Sequence, residues 1–376
     1  MVRYCHFKNK TLFLRRMIDK KDIINKTINC CRRNMIAIIF VLFIFACRFS
    51  TPIADFYALH VYPFITDVLS FISSPIPLSI QEITCILIVF FAIAIIAIGI
   101  KKKWGFCKCL RKEILLVIWV YIWFYMSWCN NYSRSSIFYR TGTHPIEYND
   151  SVFMSFVNDY IDRINANWTS ELVTDNEVIE KEIKDFYSNV DQRYGLSSPR
   201  QWHHQKKMLF RRFYSAVGVA GFMAPLYSES FVNSDVLPFS KIAIHAHEYS
   251  HLLGVSNEAE ANFWAFHCCV SSNNQAIRYS GYYDILPHVL NNARRLLSKE
   301  DYYNLFSRIR PEIIEDIKTD QEHWQTLRYP LLDSIQSTLY DLFLKGNRIT
   351  SGRKNYSEVI LLLLSIEYNT SLPYSF

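Results

Sequence analysis

The sequence predicts a mainly α-helical chain in two parts, an apolar, membrane-type N-terminal third and a helical domain with a small β element behind it. Three observations predict this. Half of the 376 residues are hydrophobic and 16% are aromatic, more than a soluble domain needs. The net charge is only +7, and most of the positive excess lies before residue 113. From about residue 130 the composition turns mixed, with apolar residues recurring at helical spacing. Such a charge distribution fits a cytoplasm-facing anchor in a lipid bilayer and excludes a nucleic-acid surface.

Residues 1–33 form a basic leader, with Lys8, Arg15, Arg16, Lys20, Lys21, Arg32 and Arg33 among its cations. The apolar run Met35–Cys47 follows and is closed by Arg48. It reads as the core of a cleaved signal, as a lipoprotein signal ending at Cys47 or, preferred here, as a span over about 34–53 with Arg48 snorkelling. Residues 49–81 hold Pro52, Pro63, Pro75 and Pro77 and few charges. They predict a non-cytoplasmic loop with a membrane-lying helix near 56–72. Residues 83–100 are apolar throughout and predict a transmembrane helix, and 114–128 predict a third span rich in Trp and Tyr. The basic 101–112 loop between them should face the cytoplasm. The membrane domain is thus expected over 34–129 with three transmembrane helices, and 130–376 outside the cytoplasm. The ten cysteines form no framework, since most lie in or beside the apolar region and Cys268 and Cys269 are adjacent.

In the 130–376 domain, 150–163 and 170–190 show helical spacing with capping-type starts. Val217–Asn233 is rich in small and β-favouring residues and broken by Pro225, predicting one or two short edge strands. Helices are expected over 258–271, 282–298, 299–317, 330–345 and 355–367. The last carries Ile360-Leu-Leu-Leu-Leu-Ser-Ile, too short to span a membrane and therefore expected to be buried.

The chemistry concentrates in Ile242–Asn262, which contains His247-Glu248-Tyr249-Ser250-His251, an H-E-x-x-H. Residues four apart share a helix face, so both imidazoles can reach one metal ion, with Glu248 beside them as a general base. Ser240 is the expected N-cap, and Ile242, Ala246, Tyr249 and Leu253 form an apolar stripe. Gly254 can take the left-handed conformation that ends the helix, bringing in Glu258-Ala-Glu260-Ala-Asn262. A catalytic zinc takes three protein ligands and keeps an open position. Glu258 is the preferred third ligand and Glu260 the alternative, because Asn262 lies one turn from Glu258 and can orient an imidazole from behind. His245 and His267 read as local hydrogen-bonding residues.

In these residues the chain resembles the DUF3810 proteins, uncharacterised membrane proteins of Bacteroidetes-type bacteria grouped with H-E-x-x-H zinc metallopeptidases. The residues that carry the resemblance are Tyr62-Pro63, Ile76–Ser79, Trp128–Arg134, Pro225–Asn233, His247–His251 with Gly254, Glu258–Phe263, Arg278–Tyr282 and Gly352–Tyr356. Cys129 departs from the pattern, where the family has Gly. The resemblance implies a zincin-like domain and a zinc site, and no known substrate.

If active, such a site hydrolyses peptide bonds, with Zn²⁺ polarising the scissile carbonyl and Glu248 moving the proton. Tyr279 and Arg278 are the expected oxyanion donors, and residues 217–233 are expected to pair with an extended protein or peptide substrate. The expected protein is an integral membrane protein of the bacterial inner membrane with its catalytic domain on the extracytoplasmic side. Two further readings stay open: a non-catalytic scaffold or receptor-like protein with a structural metal site, and a zinc hydrolase of a non-peptide amide.

Overall fold

The structure, a computed structural model, describes Arg32 and residues 34–147, 149–347 and 358–369. All of the basic leader but Arg32, and the Gly352–Tyr356 motif, lie outside the described residues. The architecture is mainly helical with one two-stranded sheet.

Four helices build the N-terminal part: α1 (Met35–Phe49), α2 (Thr51–Ser73), α3 (Ile80–Lys101) and α4 (Phe106–Ser127). Two of them, α2 and α3, are long and apolar enough to cross a membrane by length and composition. The expectation of three spans is corrected accordingly. The expected 83–100 span lies within α3. The 34–53 run gives a helix of only 15 residues. The 114–128 run continues a helix whose first turns carry Lys108, Arg111, Lys112 and Glu113, too much charge for a span of that length. The second qualifying helix, α2, lies where the prolines predicted a loop. Pro52 sits in its first turn, and before Pro63 the backbone widens into a π-helical turn over Tyr57–Val61, which relieves the clash a proline ring imposes on a regular helix.

Helix α3 is nearly free of cover, with 11% of its apolar window buried, against 33% for α2. Tyr57 and Tyr62 of α2 are buried in the main core, and Asp67 pairs with Arg200 at 2.6 Å. The α3–α4 hairpin closes tightly because Gly99 lacks a side chain: a Cβ there would sit 2.2 Å from Cys109 Sγ.

The remaining elements are α5 (Ile137–Thr141), α6 (Asp150–Asn167), α7 (Asn176–Ser188), α8 (Arg211–Ala216), β1 (Gly221–Ala224), β2 (Glu229–Val232), α9 (Pro238–Leu252), α10 (Glu258–Val270), α11 (Gln275–Leu296), α12 (Lys299–Ser307), α13 (Pro311–Leu327), α14 (Pro330–Gly346) and α15 (Val359–Asn369). The 299–317 segment breaks before Pro311, and the helix expected from 282 begins earlier, at Gln275. The two strands pair antiparallel with Gly221 opposite Val232 and Ala224 opposite Glu229. Helices α9, α10 and α11 pack on one another at the centre of the core, with β1 and β2 against α9. Helix α15 is buried through Val359, Ile360 and Leu363.

A buried ion pair fastens the sheet to α3. Glu229 of β2 accepts from Lys206 Nζ at 2.6 Å and from the first amides of α3, Ile80 and Gln81, at 3.0 Å each. A carboxylate at a helix N-terminus satisfies orphan amides and meets the positive end of the dipole.

Candidate metal centre

Helix α9 begins at Pro238, with Leu237 rather than Ser240 as N-cap. Proline needs no amide partner in the first turn, so it starts the helix earlier than a serine cap would. The expected stripe Ile242, Ala246, Tyr249 and Leu253 is buried, as are Glu248 and His251. Buried carbonyls of such a helix take further donors from side chains packed on it. Tyr187 OH donates to Ala246 O at 2.8 Å, Trp128 Nε1 to His251 O at 2.9 Å and Tyr62 OH to Leu252 O at 2.7 Å. Gly254 follows at φ +99°, the left-handed region, and turns the chain towards α10.

That turn brings three donors together. His247 Nε2 and His251 Nε2 are 3.0 Å apart, and Glu258 Oε2 lies 3.3 Å from the first and 3.5 Å from the second. His247 Nδ1–H donates to Asn262 Oδ1 at 2.6 Å, and His251 Nδ1–H to Val255 O at 2.7 Å. Since both acceptors are oxygens without a proton to give, each ring carries a proton on Nδ1 and turns Nε2 inward. Two inward-facing Nε2 atoms and a carboxylate oxygen then converge, an arrangement that a cation relieves. Tetrahedral ligands at zinc bond lengths are separated by about 3.3 Å, so the donor set fits Zn²⁺ in spacing and in chemistry. The other carboxylate oxygen, Glu258 Oε1, accepts from Tyr340 OH at 2.6 Å.

The electrostatics favour positive charge at this point. Burial opposes charge on His247, but the Glu258 and Glu248 carboxylates outweigh it and raise its pKa to about 9. Burial likewise pushes Glu258 up, and the two histidines hold it well below the usual carboxylate range. Glu248 is raised by burial, against the pull of His247, His251 and a hydrogen bond from the Met223 amide. Glu260 faces elsewhere: it is ion-paired with Arg140 and accepts from Trp264 Nε1 at 3.3 Å. His245, ring to ring with Tyr249 at 6.2 Å, and His267, against Phe263 at 4.2 Å, are outside the three-donor set.

The donors open on a cavity of about 680 Å³. Its walls include Val217–Met223, Glu248, Asp284 and His288 of α11, Arg328, and Tyr340 of α14. The structure does not bring Arg278 and Tyr279 there. They lie inside α11, where Tyr279 OH donates to Asp316 at 2.5 Å, and Arg278 to Asn167 Oδ1 at 2.7 Å and Ser272 O at 2.9 Å. The polar groups that sequence reasoning missed are Asp284, raised to about 6 chiefly by burial, and His288, lowered to about 4 by burial and by His247. Their signal was present as an i, i+4 polar pair in an apolar helical stretch, Asp284-Ile-Leu-Pro-His288. Arg328 and Tyr340 had no local signal.

Strand β1 passes close to Glu248 because Gly221 has no side chain: a Cβ there would sit 2.8 Å from Glu248 Cγ. Asn233 N donates to Ala220 O on the β2 side, and the Met223 amide turns to Glu248. Backbone groups alternate sides along a strand, so Gly221 and Met223 present theirs at the edge away from β2.

Fold and site together define a helical protein with membrane-type apolar helices and a two-helix, three-donor centre able to hold a metal ion. The chain belongs to the family described as a protein of unknown function, DUF3810, which it matches over residues 57–364. No curated protein and no solved structure matches it.

Proposed function

We propose that the protein is a membrane-anchored, zinc-dependent metallopeptidase with Glu248 as its general base. The observation that carries this reading is the buried Glu248 carboxylate set beside the His247, His251 and Glu258 donors on an open cavity. A structural metal site has no need of a neighbouring base or of a cleft. Zn²⁺ held by the three donors supplies Lewis acidity, polarising a carbonyl and making water more acidic at neutral pH.

The chain's own residues do the rest. An extended peptide adds to the outer edge of β1 through the Gly221 backbone groups and the Met223 carbonyl, which fixes its direction without demanding a sequence. Glu248 takes a proton from the attacking water and delivers it to the leaving nitrogen. Its burial, which raises the pKa, favours holding that proton between the two transfers. Asn262 and the Val255 carbonyl keep the two imidazoles in the tautomer that turns Nε2 inward. For the oxyanion, Arg328 and His288 replace the earlier expectation of Tyr279 and Arg278, since they line the cavity.

Helix α3 anchors the protein, with its basic Lys101–Lys112 end facing the cytoplasm and its Ile80 end bound to Glu229 of the sheet. The metal centre then lies on the extracytoplasmic side of a bacterial inner membrane. The test is hydrolysis of an unstructured protein substrate by the detergent-purified protein and by Glu248→Gln, with zinc content measured on both. Zinc retained and hydrolysis lost in the variant supports the reading. Undiminished hydrolysis by Glu248→Gln overturns it.

A further inference from the structure

Helix α14 is built inside out. Its polar residues Asp333, Gln336, Ser337 and Tyr340 line the cavity. Its apolar residues Leu331, Ile335, Leu339 and Leu342 point outward with exposures of 65%, 50%, 62% and 61%. The other outward positions up to Leu342 are Pro330, Leu332, Ser334 and Thr338, and the first charges on this side, the Asp341–Lys345 ion pair, come only in the last turns. A helix bordering water distributes its residues the other way round.

Both ends of α14 are fastened to the apolar helices. At its C-terminus Arg48 Nη2 donates to Gly346 O at 2.7 Å, and Tyr125 OH to Asn347 Oδ1 at 2.9 Å. Arg48 lies in the last turn of α1, whose Leu42, Phe45 and Phe49 are uncovered. At its N-terminal end Tyr329 N donates to Ala216 O, the last residue of α8, at 2.8 Å. Just before α8, Phe210 N donates to Glu82 in the first turn of α3 at 2.9 Å, leaving the Phe210 and Phe213 rings 46% and 55% exposed. The α8 and α14 strap therefore runs from the start of α3 to the end of α1. Its outward apolar side continues the uncovered apolar surface of both helices.

We propose that this strap lies in the lipid interface, with the outward face of α14 seated in the acyl boundary of the bilayer. The occupant is lipid because the face is apolar and uncharged through Leu339, is unpartnered among the described residues and continues the exposed apolar surface of α1 and α3. The inner face of α14 is a wall of the cavity, so the cleft opens along the membrane surface. The substrate class that fits is an extended peptide stretch adjoining a membrane anchor. This last step rests on the peptidase reading; the lipid contact does not.

Two measurements separate the claims. The photoreactive residue p-benzoylphenylalanine is placed at Leu339, and at Phe90 of α3 as a positive control, since Phe90 is 61% exposed. The full chain is reconstituted in nanodiscs of phosphatidylethanolamine and phosphatidylglycerol, irradiated and analysed by mass spectrometry. Phospholipid adducts at both positions are expected. Adducts at Phe90 with none at Leu339, or a cross-link from Leu339 to a second copy of the chain, overturn the lipid contact. Next, one peptide is offered free and tethered to vesicles of the same lipids by an acyl anchor. Leu339→Glu is expected to lower kcat/KM about tenfold for the tethered form alone. Equal loss on both forms, or no loss on either, overturns the substrate assignment. If neither form is cleaved by the unmodified chain, the peptidase reading fails while the lipid adducts still stand.

Discussion

Replacing Asn262 by alanine tests whether the metal centre is set by the hydrogen bonds behind its ligands. Asn262 is 4% exposed, and its Oδ1 accepts the His247 Nδ1 proton at 2.6 Å. Among the described residues its Nδ2 has no hydrogen-bond partner, so alanine removes one defined bond. An unpaired donor in a buried site costs about 1–3 kcal/mol. It also frees the ring to turn its proton to Nε2, where no lone pair remains for a metal. Loss of such an orienting partner lowers metal affinity about 10- to 100-fold, which corresponds to about 1.4–2.7 kcal/mol and lies within the hydrogen-bond range. The assay is competition for Zn²⁺ against a chromophoric chelator at pH 7 in detergent. Asn262→Asp, which keeps the acceptor, should stay within about threefold of the parent chain. Parent-like affinity in Asn262→Ala, with an unchanged melting temperature, would refute the reasoning.

Gly221→Ala places a methyl 2.8 Å from Glu248 Cγ and 2.9 Å from Ile244 Cγ2. It should cut hydrolysis more than about tenfold by displacing the base while zinc content is kept, read by activity and elemental analysis side by side. Lys206→Met leaves the Glu229 carboxylate buried without its cation, since the two side chains are 3% and 0% exposed. About 3–5 kcal/mol of stability should go, and Lys206→Met with Glu229→Gln should recover part of it in thermal unfolding. His203 is buried, with its pKa lowered to about 3 chiefly by desolvation. The unfolded chain binds the proton first, so the stability from neutral His203 is complete above about pH 6.5 and declines at up to ~1.4 kcal/mol per pH unit below it. Unfolding midpoints of the parent chain and His203→Gln, followed from pH 7 to 5, should converge. Parallel curves would contradict the shift.

What was legible in the sequence is what local spacing encodes. The i, i+4 histidines, the left-handed glycine at 254 and the strand segment before the motif each follow from chemistry within a few residues. The structure brings Glu258 and Asn262 to the histidines because α10 begins right after the turn at Gly254. Spacing favoured Glu258 over Glu260 through Asn262 one turn on, but what holds Glu260 aside is Arg140, 120 residues earlier. Arg278 and Tyr279, the expected oxyanion donors, precede the helix expected from 282, yet α11 runs unbroken through them, and packing turns them towards Asn167 and Asp316. At Gly281 the same helix comes so close to α10 that a Cβ would meet Cys269 Cβ at 2.5 Å. That approach fixes which side of α11 meets the cleft. The prolines of 49–81 misled for a different reason: a first-turn position and a π-helical turn accommodate Pro52 and Pro63 without ending a helix.

The central claim is that His247, His251 and Glu258 form one zinc site. Anomalous diffraction at the zinc edge, from crystals of protein purified without added chelator, tests it most directly. The account predicts a single peak bounded by the two Nε2 atoms and the Glu258 carboxylate, and no peak in crystals of His247→Ala. A zinc peak coordinated by Glu260, or crystals of the parent chain without zinc at these donors, would contradict it.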